Sequence, residues 1–184
     1  MPNNLTHLAF GTHFNQPIKG CIPNSVTHLT LGSLFEQPIK NNILENVTHL
    51  TINNSPLPLK DYIPNHITHL TLGYCYKQPI NDIPDNVTHL TLNCGLNKNI
   101  NINMSSNFTH LTIGYSFNYN KYIKECIPNN VTHLTLDNKL DYSIKECIPN
   151  NVTHLYLNEK YKHDRELPNV KNISFIKNEY TNFY

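Results

Sequence analysis

One tetrapeptide sets the terms on which this chain can fold. The pattern apolar-Thr-His-Leu occurs eight times, beginning at Leu5, Val26, Val47, Ile67, Val87, Phe108, Val131 and Val152. Successive copies lie 20–23 residues apart, and a worn ninth, Val170-Lys171-Asn172-Ile173, follows the eighth after 18. A period of that size held along 184 residues predicts a solenoid with one copy per turn. A single turn buries too little apolar surface to offset the entropy of ordering its backbone, so the turns must stack to fold.

Counting each copy from its first apolar residue, positions 1, 4 and 6 are apolar almost throughout, as in Val26, Leu29 and Leu31. That is the L-x-x-L-x-L spacing of leucine-rich repeats. Positions 3 to 6 alternate polar and apolar and read as a short strand. Position 7 is Gly11, Gly32, Asn53, Gly73, Asn93, Gly114, Asp137 and Asn158. These residue types tolerate positive φ best, so a left-handed turn is expected there. Position 10 is aromatic or Leu in most copies (Phe14, Phe35, Tyr76, Leu96, Phe117, Leu140, Tyr161), and Ile18, Ile39, Ile80 and Ile144 follow four residues later. Proline recurs on the outer leg (Pro17, Pro38, Pro79) and again in the Ile-Pro pairs ahead of the strands, which excludes long helices.

The expected fold is therefore a β-rich, leucine-rich-repeat-like right-handed superhelix with a parallel sheet on one face and little or no α-helix. About nine turns are expected, forming one repeat domain over residues 1–184, with strands starting near 5, 26, 47, 67, 87, 108, 131 and 152 and a degenerate capping turn over 170–184. At the usual strand spacing nine turns span roughly 40 Å. Composition agrees: the chain has 30 Asn but only one Ala, Ala9, the reverse of a helical domain's preference. Fifteen of the 30 Asn occupy position 7 or the two slots before the strand.

A net charge of +1 with a single Arg, Arg165, argues against a nucleic-acid-binding surface. No apolar run is long enough to span a membrane, and Met1-Pro2-Asn3-Asn4 has neither the charged nor the apolar region of a signal peptide. A reducing, cytoplasmic setting is expected. The five cysteines form no C-x-x-C pair, and Cys21, Cys126 and Cys147 share the context Cys-Ile-Pro-Asn, so they read as small buried hydrophobes.

The run Phe14-Asn15-Gln16-Pro17-Ile18, followed by Cys21-Ile22-Pro23-Asn24-Ser25-Val26-Thr27-His28-Leu29-Thr30-Leu31-Gly32, resembles the FNIP repeat, a relative of the leucine-rich repeats. Phe35 to Ile39, Tyr76 to Ile80 and Phe117-Asn118 match closely. Ser55-Pro56-Leu57-Pro58-Leu59, Leu96 to Ile100, Leu140 to Ile144 and Tyr161 to Leu167 depart from it. The resemblance covers essentially the whole chain. It implies a protein of the kind found in social amoebae and in giant viruses that infect amoebae, where many members carry an F-box and act as ubiquitin-ligase substrate adaptors. Here Pro2-Asn3-Asn4-Leu5 already reads as repeat, and no F-box-like helical segment is expected within these residues.

Two columns are expected to face out from the sheet, because positions 4 and 6 point inward. His28, His49, His69, His89, His110 and His133, with His7 and His154 at the ends, form one; Thr30, Thr51, Thr71, Thr91 and Thr112, continued by Thr135, form the other. Imidazoles stacked at the ~4.8 Å strand spacing can be structural cover, a metal surface, or a pH-sensitive face on which neighbouring imidazoliums repel. A continuous ladder without a carboxylate or Cys column defines no particular metal site, and neither metal nor other cofactor is expected. No unique nucleophile-base set, phosphate loop or H-E-x-x-H motif occurs, and His13, His66 and His163 read as isolated exposed loop residues. An enzyme is not expected.

Variation concentrates just beyond the strand, where Tyr74 and Tyr115 are candidate contact residues for a protein partner, aromatics being enriched in binding hot spots. The chain opens on an unpaired strand at residues 6–10, so a homodimer through this uncapped turn is an alternative. Ser174-Phe175-Ile176 with Tyr180, Phe183 and Tyr184 is expected to close the other end.

Overall fold

The computed structural model describes residues 4–77, 80, 83–94, 107–114, 127–137, 140, 143–163 and 167–177. Its strands are β1 (His7–Ala9), β2 (His28–Leu31), β3 (His49–Ile52), β4 (His69–Leu72), β5 (His89–Leu92), β6 (His110–Ile113), β7 (His133–Leu136), β8 (His154–Asn158) and β9 (Asn172–Ile176). All nine form one sheet in chain order. From β2 to β7 every pair is parallel and in register, His on His, Leu on Leu and Thr on Thr. The parallel β-solenoid expected from the repeat is present. Nine strands need only eight connections, so closed turns are fewer than the nine expected.

Each strand begins at position 3 of its copy, two residues after the first apolar residue. The reason lies in the Thr at position 2. Its carbonyl accepts both the Thr and the His N–H of the next turn, as Thr6 does from Thr27 at 2.9 Å and His28 at 3.0 Å. Position 1 sits just ahead, where a turn such as Pro23 O to Val26 N (3.0 Å) aims it inward. Val26, Val47, Ile67, Val87, Phe108 and Val131 are all fully buried. Strand burial alternates half-buried and buried, and the buried residues of all turns make one continuous core.

The outer leg is irregular, as the prolines require. Phe35 and Tyr76 at position 10, with Ile18, Ile39, Ile80 and Ile144, complete the core from that side. The third copy, whose aromatic slot holds Pro56, uses another device. A four-residue helix, α1 (Leu59–Tyr62), buries Leu59 and Tyr62, and the Tyr62 hydroxyl donates to the Gln37 carbonyl at 3.1 Å. Leu96, Phe117, Tyr180, Phe183 and Tyr184 lie outside the described residues.

The expected left-handed turn at position 7 is not there. Among the described residues only Gly20 (φ 72°) and Asn41 (φ 70°) have positive φ, and both stand at position 16, where the outer leg reverses. Position 7 answers to crowding between turns. A Cβ on Gly32 would overlap the Gly11 carbonyl, and one on Gly73 or Gly114 would overlap Oδ1 of Asn53 or Asn93 in the turn before. Where the side chain is present it reaches to the preceding turn. Asn53 Nδ2 donates to the Leu31 carbonyl at 3.1 Å and Asn158 Nδ2 to Asp137 Oδ1 at 3.1 Å.

The slot before the strand behaves alike. Ser25 Oγ donates to the Leu5 carbonyl at 2.8 Å, Asn46 Nδ2 to that of Val26 at 2.6 Å and Asn130 Nδ2 to that of Phe108 at 2.8 Å. Several of the concentrated Asn, Asn46, Asn53 and Asn130 among them, are thus ties between turns that satisfy a backbone acceptor of the turn before.

The cysteines depart from expectation. Cys94 is buried, and burial pushes its thiol up to about 11. Cys21 and Cys75 are exposed and Cys147 is half-buried. Cys21 follows the left-handed Gly20 at the reversal, and the inward slot falls to Ile22 instead. Cys126 lies outside the described residues.

The sheet is curved. A purely translational stack would hold like groups at the strand spacing of ~4.8 Å. His7 and His28 stack at 4.1 Å between centroids, whereas Phe14 and Phe35, on the far side of the same two turns, stand 6.1 Å apart with planes 6° from parallel. The histidine face is therefore concave.

These contacts rank glycine substitutions in the column. Gly32→Ala must displace backbone, including Thr12 Cα at 2.9 Å, and should cost about 2 kcal/mol or more. Gly11→Ala meets nothing within 4 Å and should stay within about 0.5 kcal/mol of the parent. Urea unfolding of the two variants measures the difference; equal costs would show that the overlap is not what holds glycine at position 7.

Candidate functional site

Eight imidazoles run unbroken up the concave face. Successive centroids from His7 to His154 are 3.9–4.3 Å apart, with planes 4–23° from parallel. This is tighter than the expected strand spacing, because rings on the inner side of a curved sheet converge. Seven successive contractions cannot come from side-chain rotation, which would accumulate along the stack.

Each ring is tied to its own strand entry. Nδ1 of His7, His28, His49, His69, His89, His110, His133 and His154 shares a hydrogen bond of 2.8–3.0 Å with Oγ1 of the preceding Thr. In five turns that hydroxyl also donates to the carbonyl of the Thr one turn earlier, at 3.2–3.4 Å. The column ends on Asn172, in register with His154. Its Nδ2 donates to His154 Nε2 at 3.0 Å and to the Thr153 carbonyl at 3.4 Å.

The histidines expected in one column do come together, and the threonines that bind their rings are ones the sequence did not single out. Thr30, Thr51, Thr71, Thr91 and Thr112 do line the same face, half-buried, beside the rings. The hydroxyls that bind the rings belong to position 2: Thr6, Thr27, Thr48, Thr68, Thr88, Thr109, Thr132 and Thr153. The signal was present within the chain. Position 2 is Thr in all eight copies, whereas position 5 drifts to Ala9 in the first and Tyr156 in the eighth.

The stack lowers the basicity of its six inner rings. His28, His49, His89 and His133 are held below the usual imidazole range, and His69 and His110 are pushed down to about 4. In each case burial is the first cause and repulsion by other rungs the second, the reverse of the weight expected from charge alone.

The geometry does not suit chelation. A metal lies in the plane of each imidazole it binds, and near-parallel rings about 4 Å apart offer parallel lone pairs that do not meet at one point. Among the described residues no group of three or more His, Cys, Asp or Glu is arranged to hold a metal.

The remaining candidates separate. Tyr74 is 74% exposed and Leu34 51%, both on the rim just past the strand. Tyr115 lies outside the described residues. His13 is exposed as expected, but His66 and His163 are half-buried. His66 takes the slot of the inter-turn Asn, with Nε2 sealed from solvent, and His163 lies 5.8 Å from the Tyr161 ring.

The FNIP repeat pattern matches residues 1–34, 14–55, 54–95 and 117–160, together well over half of the sequence. The chain belongs to the FNIP repeat family. No curated protein matches it. In this FNIP protein the aromatic and the Ile of the motif pack the outer leg, while the Thr-His dipeptide builds the concave face. Among the described residues no helix is long and apolar enough to cross a membrane.

Depressed imidazole basicity fixes the sign of a pH effect. The unfolded chain, with pKa values near 6.5, binds more protons than the folded one between about 6.5 and the value near 4 reached by His69 and His110. Stability present above that window is lost as pH falls through it. The rings are half-buried and not sealed from water, which screens the effect. The melting temperature should still fall by about 5 °C or more between pH 7.5 and 5, and His69→Gln with His110→Gln should reduce the fall. A flat profile over this range in the parent chain would contradict it.

Proposed function

We propose that this FNIP solenoid is a non-enzymatic protein-protein interaction module that takes its partner on the concave face and the adjoining rim. The supporting observation is the pairing of a uniform, curved strip with a varied rim carrying exposed Tyr74 and Leu34. Repeat solenoids bind along such concave surfaces, and aromatics are enriched among interface anchors. The histidines occupy one repeated environment, whereas catalysis asks for a unique, converging set of groups. A net charge of +1 favours contact through shape and hydrogen bonding over long-range attraction. Within the family, substrate recognition for a ubiquitin ligase in the cytoplasm is the reading that fits such a module.

A second reading, self-association, is favoured by one observation. Leu5, Leu8, Phe10 and Phe14 are only partly buried at the β1 end, where a second copy could cover them.

Affinity capture from amoebal cytoplasm, comparing the parent chain with a Tyr74→Ser, Leu34→Ser variant, tests the first reading. Capture of a defined partner, scored for ubiquitin-ligase scaffold proteins, should fall about tenfold in the variant, in the range of a hot-spot loss. Undiminished capture would move the contact elsewhere, and a concentration-dependent dimer in light scattering, lost on Phe10→Ser, would favour the second.

A further inference from the structure

We infer that the ladder imidazoles are held as one tautomer, N–H at Nδ1 and bare at Nε2, making the concave face a strip of hydrogen-bond acceptors fitted to a protein segment that presents carboxamide side chains. The inference rests on the reading of that face as the contact surface.

Proton counting carries the first half. A Thr hydroxyl has one proton. In five turns it goes to the carbonyl of the preceding Thr, at 3.2–3.4 Å. That carbonyl can only accept. With the hydroxyl proton committed, the 2.8–3.0 Å contact between Oγ1 and Nδ1 of His28, His69, His89, His133 and His154 needs a proton on Nδ1, and the like contact in the other turns repeats the geometry. The opposite tautomer would leave one of the two contacts without a hydrogen. A neutral ring protonated at Nδ1 has a lone pair at Nε2. Free histidine in water prefers the other tautomer, so the fold imposes this one.

Asn172 supplies the independent second observation. Its Nδ2 lies 3.0 Å from His154 Nε2 and 3.4 Å from the Thr153 carbonyl. The carbonyl fixes which end of the amide is the donor, and an amide nitrogen only donates. His154 Nε2 is therefore bare, as the Thr bookkeeping requires. Asn172 also shows what the strip accepts, since a carboxamide N–H already sits on its last rung. Among the described residues the buried side-chain atoms left without a partner are His66 Nε2 and Tyr76 Oη, so no ladder Nε2 is sealed away unbonded. A carboxylate, which only accepts, finds no donor at Nε2 while the rings are neutral.

The tautomer is read directly from long-range proton–nitrogen NMR on the full chain labelled with nitrogen-15 histidine at pH 7.5. Ladder rings should show Nδ1 as the protonated and Nε2 as the bare nitrogen. In Thr88→Val, which keeps the shape and removes the hydroxyl, His89 should shift toward the Nε2–H form. Ladder rings carrying N–H at Nε2 in the parent would overturn the inference even if Thr88→Val failed to fold. Partner chemistry is tested by adding an extended peptide of alternating Asn and Thr, or its counterpart with Asp for Asn. Saturable shifts of the bare Nε2 resonances are expected with the Asn peptide, at least tenfold weaker with the Asp peptide. No shift with the first, or equal shifts with both, would refute the carboxamide assignment. The tautomer result stands apart from rim-dependent capture, so failure of the module reading and failure of the acceptor strip are distinguishable.

Discussion

In a parallel stack with one strand per turn and no register slip, each residue is packed against its own counterpart in the turns above and below. That constraint governs the rest of the structure. A side chain succeeds only if it tolerates contact with copies of itself at about the strand spacing, in the core, on the faces and at the turns alike. Leu and Ile satisfy it by interdigitating. Imidazole satisfies it by stacking flat, with in-plane nitrogens free to bond sideways. Asn satisfies it by donating to the carbonyl of the turn before.

The same constraint explains why glycine and asparagine share position 7. An Asn side chain lying toward the next turn leaves no room for a Cβ there, so Asn53 is followed by Gly73 and Asn93 by Gly114. Asp137 and Asn158 solve the crowding differently, through a direct side-chain hydrogen bond. Conformational propensity, the obvious reason for such residues, plays no part at this position, and left-handed backbone occurs instead at Gly20 and Asn41.

Curvature turns a periodic face into a particular surface. Because the inner side is compressed, the rings touch and partly desolvate one another. Burial rather than charge then becomes the leading cause of their weak basicity, and the strip stays neutral at ordinary pH. Fixed by the Thr at position 2 and ended by Asn172, it offers hydrogen bonding without net charge, bordered by the exposed rim around Tyr74.

Much of this was legible in the residues. The period, the strand at positions 3 to 6, the buried slots and the histidine column follow from a pattern repeated eight times, because repetition leaves one way to bury every Leu. The hidden parts are those that depend on what one turn places over the next. The invariance of Thr at position 2 marks it off from position 5, but what the hydroxyl binds was settled only by the hydroxyl-to-Nδ1 geometry. Nor could sequence show that Tyr62 enters the core where Pro56 interrupts the motif, that Cys21 faces outward, or that Asn172 closes the ladder. The sequence by itself determined which residues would stack, since translational repetition carries identical positions into contact. Only the tertiary structure decided how closely, because curvature, which sets the ring spacing and the exposure of the strip, is a property of the assembled turns and of no single repeat.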